Sequence, residues 1–191
     1  NVYEIYKITK SAVIVLSTTN NNEESTYFIE EYSAITVDTS GLYIGGTMCN
    51  ADYASDPYGV YTFDSFVEKW SLDGGLIWKA TLNHDYESYV VSISNNKDYI
   101  YVALECYDYD NNGIGRVFKI STIDGVVKDS WSDTNHLIPS SVCATDDGIF
   151  ISGYVWDGEG FDTLRAKDSL AQIVWHNEGG DNGAAYDSVY G

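Results

Sequence analysis

Short stretches of alternating apolar and polar residues, each closed by a cluster of Gly, Asp, Asn or Ser, run along this 191-residue chain. The stretch Asp64-Ser65-Phe66-Val67-Glu68-Lys69-Trp70 sends successive side chains to opposite faces, as a half-buried strand requires. Asp73-Gly74 then reverses the chain into a second strand that runs to Trp78. No segment keeps the apolar spacing of a helix for more than two turns, so the pattern predicts an all-β protein of many short strands.

The same hairpin recurs around a basic residue, at Lys7, Lys69, Lys119 and Arg165, with intervals of 62, 50 and 46 residues. These lie near the roughly 40–50-residue period of propeller blades and outside that of most helical repeats. Each repeat divides into four strands, labelled a to d from the inside outward. Strand a alternates small residues at Ser33 to Val37, Val90 to Ile93, Ser141 to Ala144 and Ser188 to Tyr190. Strand b follows at Leu42 to Gly46, Tyr99 to Leu104 and Ile149 to Gly153, after turns whose residues tolerate left-handed backbone, so a and b are expected to pair as hairpins. Strands c and d form the anchored hairpin, closed by Asp73-Gly74 and Asp124-Gly125, and by the poorer turn formers Lys10-Ser11 and Asp168-Ser169 in the first and last copies. Trp70, Trp78, Trp131 and Trp175, at strand ends, are expected to wedge one sheet against the next.

The predicted architecture is one β-propeller, or propeller segment, of four-stranded antiparallel blades spanning residues 1–191. It has a partial blade at 1–18, blades at about 31–82, 88–132 and 139–178, and a partial strand at 184–191. Three accounts of this phase stay open. The chain is a segment of a longer propeller, or its ends close a small four-bladed ring, or its open strand edges are met by neighbouring copies.

The run from Asp64 to Lys69, with Asp73-Gly74 and Trp78, resembles the β-propeller repeat of bacterial and archaeal surface and secreted proteins, whose pattern is Asp-x-Phe-Val-x-Lys-x-x-x-x-Gly-x-x-x-Trp. It is similar, more loosely, to the blades of quinoprotein-like propellers. One repeat matches well and the copies at Gly115 to Trp131 and Asp162 to Trp175 match in part, whereas Tyr3 to Leu16 has neither the Gly nor the Trp. The resemblance implies a scaffold and a surface location, and it transfers no catalytic residue.

Charge sharpens the picture. The formal net charge is −19, with 29 acidic and 10 basic residues, which argues against a nucleic-acid surface. The longest aliphatic run, Ala12 to Leu16, is too short to span a bilayer. In an antiparallel four-stranded unit the d–a and b–c connections emerge at one end and the a–b and c–d turns at the other. Most of the carboxylates fall in the first set, and all ten basic residues fall outside it. One end is therefore expected to be strongly negative, suited to cations or a basic partner. Within it, Asp108-Tyr109-Asp110-Asn111-Asn112-Gly113 opens like a calcium loop, with Asp108, Asp110 and Asn112 as candidate oxygen ligands for Ca2+. The ninth and twelfth positions of that pattern are Arg116 and Lys119, so the rest of it is missing.

His84, His136 and His176 sit near d–a connections at irregular offsets, which reads as exposed loop histidines. Of the three cysteines, Cys143 reads as a small buried residue of strand a, and Cys49 with Cys106 is the pair that an oxidising compartment would bridge. No nucleophile elbow, phosphate loop or His-Glu-x-x-His is present, so no catalytic residue is expected. The expected function is a noncatalytic extracellular or cell-surface structural or adhesion protein. Its partners would be further copies of itself or a surface protein or glycan, with no nucleic acid and no membrane insertion. The alternative is a segment of a larger quinoprotein-like or lyase-type propeller enzyme.

Overall fold

The computed structural model describes residues 3–8, 13–18, 29–50, 62–82, 87–108, 110, 112–133, 137–155, 161–166, 170 and 173–178. All regular structure among them is β-strand. The strands are β1 (Tyr3–Ile8), β2 (Val13–Thr18), β3 (Ile29–Asp38), β4 (Gly41–Asn50), β5 (Thr62–Trp70), β6 (Leu76–Leu82), β7 (Glu87–Asn96), β8 (Tyr99–Tyr107), β9 (Gly113–Ser121), β10 (Val127–Asp133), β11 (Leu137–Thr145), β12 (Gly148–Val155), β13 (Phe161–Ala166) and β14 (Ile173–Glu178). No helix among the described residues is long and apolar enough to cross a membrane.

β1 and β2 form an antiparallel hairpin with Lys7 opposite Ile14. Three antiparallel meanders follow, β3 to β6, β7 to β10 and β11 to β14, each strand pairing with the next along the chain. A single parallel bridge, Phe63 with Glu87, joins the first two meanders into one eight-stranded hydrogen-bonded sheet; the third is a separate four-stranded sheet.

The meanders are equivalent residue by residue. The basic anchors Lys69, Lys119 and Arg165 each face a strand-b aromatic, Tyr43, Tyr101 and Phe150. Beside each anchor the d strand carries one residue too many for its partner: Ile77, Lys128 and Val174. A second irregularity recurs in strand a, where Ser33, Val91 and Ser140 each fall between paired residues. An extra residue of this kind bends a strand and raises its twist.

The core lies between meanders rather than inside any one of them. The first cluster brings Tyr43, Val67 and Leu82 of the first meander against Ile93, Ile100, Val102 and Ile120 of the second. The second sets Tyr101, Ala103 and Val117 of the second meander against Leu137, Val142, Ile149 and Ile151 of the third. Each meander thus has a forward face, which receives the next unit, and a back face, which lies on the one before. A small residue in strand b makes room at the junction: a Cβ on Gly45 would lie 2.6 Å from both Ile93 Cδ1 and Val90 Cγ1. Ala103 holds the equivalent position in the second meander.

The sequence motif explains the junction at the turn end. Lys69 Nζ donates to Ser40 Oγ at 3.1 Å and to Thr122 O in the next meander at 2.8 Å. Trp78 Nε1 donates to the same carbonyl at 3.3 Å. The Trp78 ring lies on Gly125, whose φ of +71° and lack of a Cβ let the turn pass beneath it. Asp129, equivalent to Trp78, accepts from Leu170 N of the third meander at 2.9 Å. Trp131 packs on the second core cluster, so it and Trp78 act as the expected wedges. Trp70 instead donates to Glu68 Oε2 at 2.9 Å, and the Trp175 side chain lies outside the described residues.

The burial expected of Cys143 is not found: it is exposed, because strand a of the third meander turns it toward a forward face that no other meander among the described residues covers. Cys106 is a buried free thiol, and the side chain of Cys49 lies outside the described residues. Burial pushes the Cys106 thiol up to about 12, which keeps it in the unreactive protonated form.

Candidate functional site

The end sorting anticipated from strand direction depends on all meanders running the same way. They do. The Phe63–Glu87 bridge is parallel, so strand a of the second meander runs with strand c of the first. Val142 N and Ala144 N reach Ser92 Oγ and Ser94 Oγ in ascending order, so strand a of the third meander runs with that of the second. The b–c and d–a ends of the strands therefore lie together. They bring Glu31, Asp64, Glu87, Glu105, Asp162 and Glu178 to one end, where Arg116, at the strand-c position equivalent to Asp162, is the single basic residue among the described residues. The connections at 19–28, 51–61, 83–86, 134–136, 156–160 and 179–191 lie outside the described residues.

The most structured part of this acidic end is an aromatic and carboxylate row across the second meander. Spacing of two residues along a strand places Glu87 with Tyr89, and Glu105 with Tyr107, on common faces. Tyr89 OH donates to Glu87 Oε2 at 3.1 Å, and Tyr107 OH to Glu105 Oε1 at 2.6 Å. Tyr154 OH of the third meander donates to that same Glu105 oxygen. Ring contacts continue the row, Phe63 to Tyr89 at 5.5 Å and Tyr89 to Tyr107 at 6.3 Å. Burial first, and then the hydrogen bond to Glu105, push Tyr107 well above the usual phenol range and Tyr154 up to about 12. Among the described contacts the carboxylates of this row are held by phenols and not by ion pairs.

Tyr154 gives a test of this row. Its hydrogen bond is partly exposed, so Tyr154→Phe should cost about 1 kcal/mol near neutral pH. Folding raises this phenol from 10.0 to about 12, so between those values the unfolded chain loses a proton that the native state keeps. Its stabilisation is complete below pH 10.0 and is lost as pH rises toward about 12. Urea midpoints for wild type and Tyr154→Phe should therefore converge across that window; a gap that stays constant would count against the assignment.

The candidate calcium residues come together as a turn. Asp108 Oδ1 accepts from Asp110 N at 3.0 Å, Asn112 N at 2.8 Å and Asn112 Nδ2 at 3.1 Å, and Oδ2 accepts from Asn112 Nδ2 at 2.9 Å. Asp108 N closes the turn on Asn112 O at 3.1 Å. This is an Asx-type turn in which the carboxylate organises backbone N–H groups. A cation at Asp108, Asp110 and Asn112 would compete with these donors for Asp108, and Asn112 presents its amide N–H to that carboxylate. Of the histidines, His84 and His136 lie outside the described residues, and His176 is placed in β14 opposite Leu164.

The opposite end is built differently. Asp38 accepts from Ser40 N at 2.6 Å, Gly41 N at 3.0 Å and Tyr43 OH at 3.2 Å. Burial alone would raise its carboxyl, but these hydrogen bonds outweigh it and hold Asp38 below the usual carboxylate range. Lys97 pairs with Asp146 at 2.7 Å and Lys128 with Asp124 at 3.8 Å, so both signs of charge mix there.

The row of carboxylates held by phenols escaped the sequence reading. Its local half was legible as Glu-x-Tyr at Glu87 and Glu105, whereas Tyr154 joins from 49 residues away and leaves no local trace. No protein-family model matches the chain, and comparison with curated proteins yields no match.

Proposed function

We propose that the meanders are blades of a β-propeller or propeller segment, and that the chain is a noncatalytic structural or adhesion protein at the cell surface or outside the cell. Its acidic end is the contact surface for a cationic partner. The observation that carries this reading is the common strand direction of the three meanders, which gathers the b–c and d–a strand ends with Glu31, Asp64, Glu87, Glu105, Asp162 and Glu178, against Arg116 alone among the described basic residues. Like charges at such an end sum to a field that concentrates positive groups. The propeller arrangement is supported by the repeated junction, in which each strand a lies beside the preceding strand a and each c–d turn is held from the meander before.

The test is calorimetric binding of an oligolysine peptide to two triple variants of equal net charge. Glu31→Gln, Glu87→Gln and Asp110→Asn remove charge from the acidic end; Asp73→Asn, Asp124→Asn and Asp147→Asn remove it from the turn end. The first set should weaken binding about tenfold at low salt and the second by much less, with both differences shrinking as salt screens the field. Equal losses, or no binding by the wild type, would reject the reading.

A further inference from the structure

The two junctions inside the chain are built by one rule, and among the described residues one copy of each half of that rule is left unused. In strand a, alternate side chains point forward and back. At the first junction Thr36 Oγ1 reaches forward to Asn95 Oδ1 at 2.8 Å. At the second, Ser92 Oγ receives Val142 N at 3.1 Å and Ser94 Oγ receives Ala144 N at 2.9 Å. Ile93 and Val142, the back-pointing residues, are 9% and 5% exposed, each covered by the preceding meander.

Register carries these positions to the two free faces. Ile35 and Val37 of β3 take the places of Val142 and Ala144, since Ile35 pairs with Ile44 as Val142 does with Ile151. Yet they are 58% and 59% exposed. At the other end, Ser141 and Cys143 of β11 take the places of Ser92 and Ser94, and both are exposed. Ser152 stands where Gly45 and Ala103 make room for Ile93 and Val142, so the third meander carries a small residue at the receiving position. Among the described residues, one face lacks its receiver and the other lacks its guest.

We propose that the forward face of the third meander docks on the back face of the first meander in a second copy of this chain, head to tail, by repeating the internal junction. Ser141 Oγ then receives the second copy's Ile35 N, as Ser92 Oγ receives Val142 N, and Ile35 fills the space beside Ser152. The argument for a second copy is continuity: each of these faces is one half of an interface that the chain already makes twice, and the residues that mark the two halves, Ile35 with Val37 and Ser141 with Cys143, are exposed. Contact between two different patches is heterologous, so it propagates into chains or larger rings rather than stopping at a two-fold dimer. The inference rests on the equivalence of the meanders and is independent of any partner at the acidic end.

Mass measurement by sedimentation over about a hundredfold concentration range tests it. The wild type should grow from 21.2 kDa into a ladder of its multiples. Ile35→Asp blocks one face and Ser141→Arg the other; both positions are exposed, so the variants should keep the wild-type circular dichroism. Each alone should remain at 21.2 kDa, and their equimolar mixture should form dimers and nothing larger, because each supplies the face the other lacks. A wild type that stays at 21.2 kDa throughout, a single variant that assembles like the wild type, or a mixture that stays monomeric would each overturn the proposal.

Discussion

Replacing Gly115 by Ala is expected to destabilise the protein by about 3 kcal/mol or more, a large fraction of the roughly 5–15 kcal/mol that holds a domain together. Gly115 is the third residue of strand c of the second meander, where strand a of the third crosses over it. A Cβ there would collide with the backbone oxygen of Leu137 and lie 2.8 Å from Pro139 Cδ. Neither neighbour can swing away as a side-chain tip does. The carbonyl is fixed by its own strand, and the proline ring is fixed by its backbone. Relief requires the third meander to back off the second, which opens the cluster holding Val117, Leu137 and Val142. The equivalent position in the first meander is Ser65, where Ser88 of the second crosses and its Oγ accepts from Ser65 N at 3.0 Å. Thermal unfolding of Gly115→Ala should shift down by roughly 6–12 °C, while Gly75→Ala, in an exposed turn with its nearest atom at 3.3 Å, should barely move. A Gly115→Ala protein as stable as wild type would mean that the junction is not packed as described.

The second large effect is expected at Lys69. Its side chain is 7% exposed, and its ammonium is held by Ser40 Oγ, by Thr122 O and by the Tyr43 ring at 5.3 Å from the centroid. Lys69→Met keeps the stem and its packing but removes the charge and both hydrogen bonds. Hydrogen bonds to a charged group contribute about 1.5–3 kcal/mol, and lifting a cation out of water offsets part of that, so a loss of about 2 kcal/mol is expected. Thr122 O keeps Trp78 Nε1 at 3.3 Å, which limits the damage. A double-mutant cycle with Trp78→Phe separates the two donors. Because they share one acceptor, the double variant should lose more than the two single losses combined. Simple additivity, or no loss in Lys69→Met, would show that the ammonium is not the latch.

Much of this architecture could be read from the chain. The Asp-Gly and Asn-rich turns fall where hairpins close, and the basic anchors Lys69, Lys119 and Arg165 occupy equivalent places opposite Tyr43, Tyr101 and Phe150. Strand a was read too short. It begins at Ile29, Glu87 and Leu137, well before the alternation the sequence shows, because an unpaired residue at Ser33, Val91 or Ser140 shifts the period of two and hides the first half of the strand. The burial expected of Cys143 failed for a different reason. Its strand is interior in sequence pattern, but which face is covered depends on the presence of a following sheet, and composition does not encode that. The role of Lys69 was invisible too, since its acceptor is a backbone carbonyl 53 residues away. At Asp108 the spacing was legible, but the hydrogen bonds by which its carboxylate gathers Asp110 N and Asn112 N into a turn were not.

Most of the described hydrogen bonds that join meanders share one further property, with Thr36 to Asn95 and Tyr154 to Glu105 as the side-chain-to-side-chain exceptions. Lys69 and Trp78 meet a main-chain oxygen of Thr122, Asp129 meets the amide of Leu170, Asn96 Nδ2 meets the carbonyl of Thr145, and Ser92 and Ser94 meet the amides of Val142 and Ala144. In each case only one side of the contact is written in side chains, and any residue other than proline offers the amide and carbonyl needed on the receiving side. A unit of this kind can be duplicated, drift in composition or be spliced next to a diverged neighbour without a matched change in that neighbour. That tolerance accounts for copies that keep their joints while their spelling has worn almost past recognition.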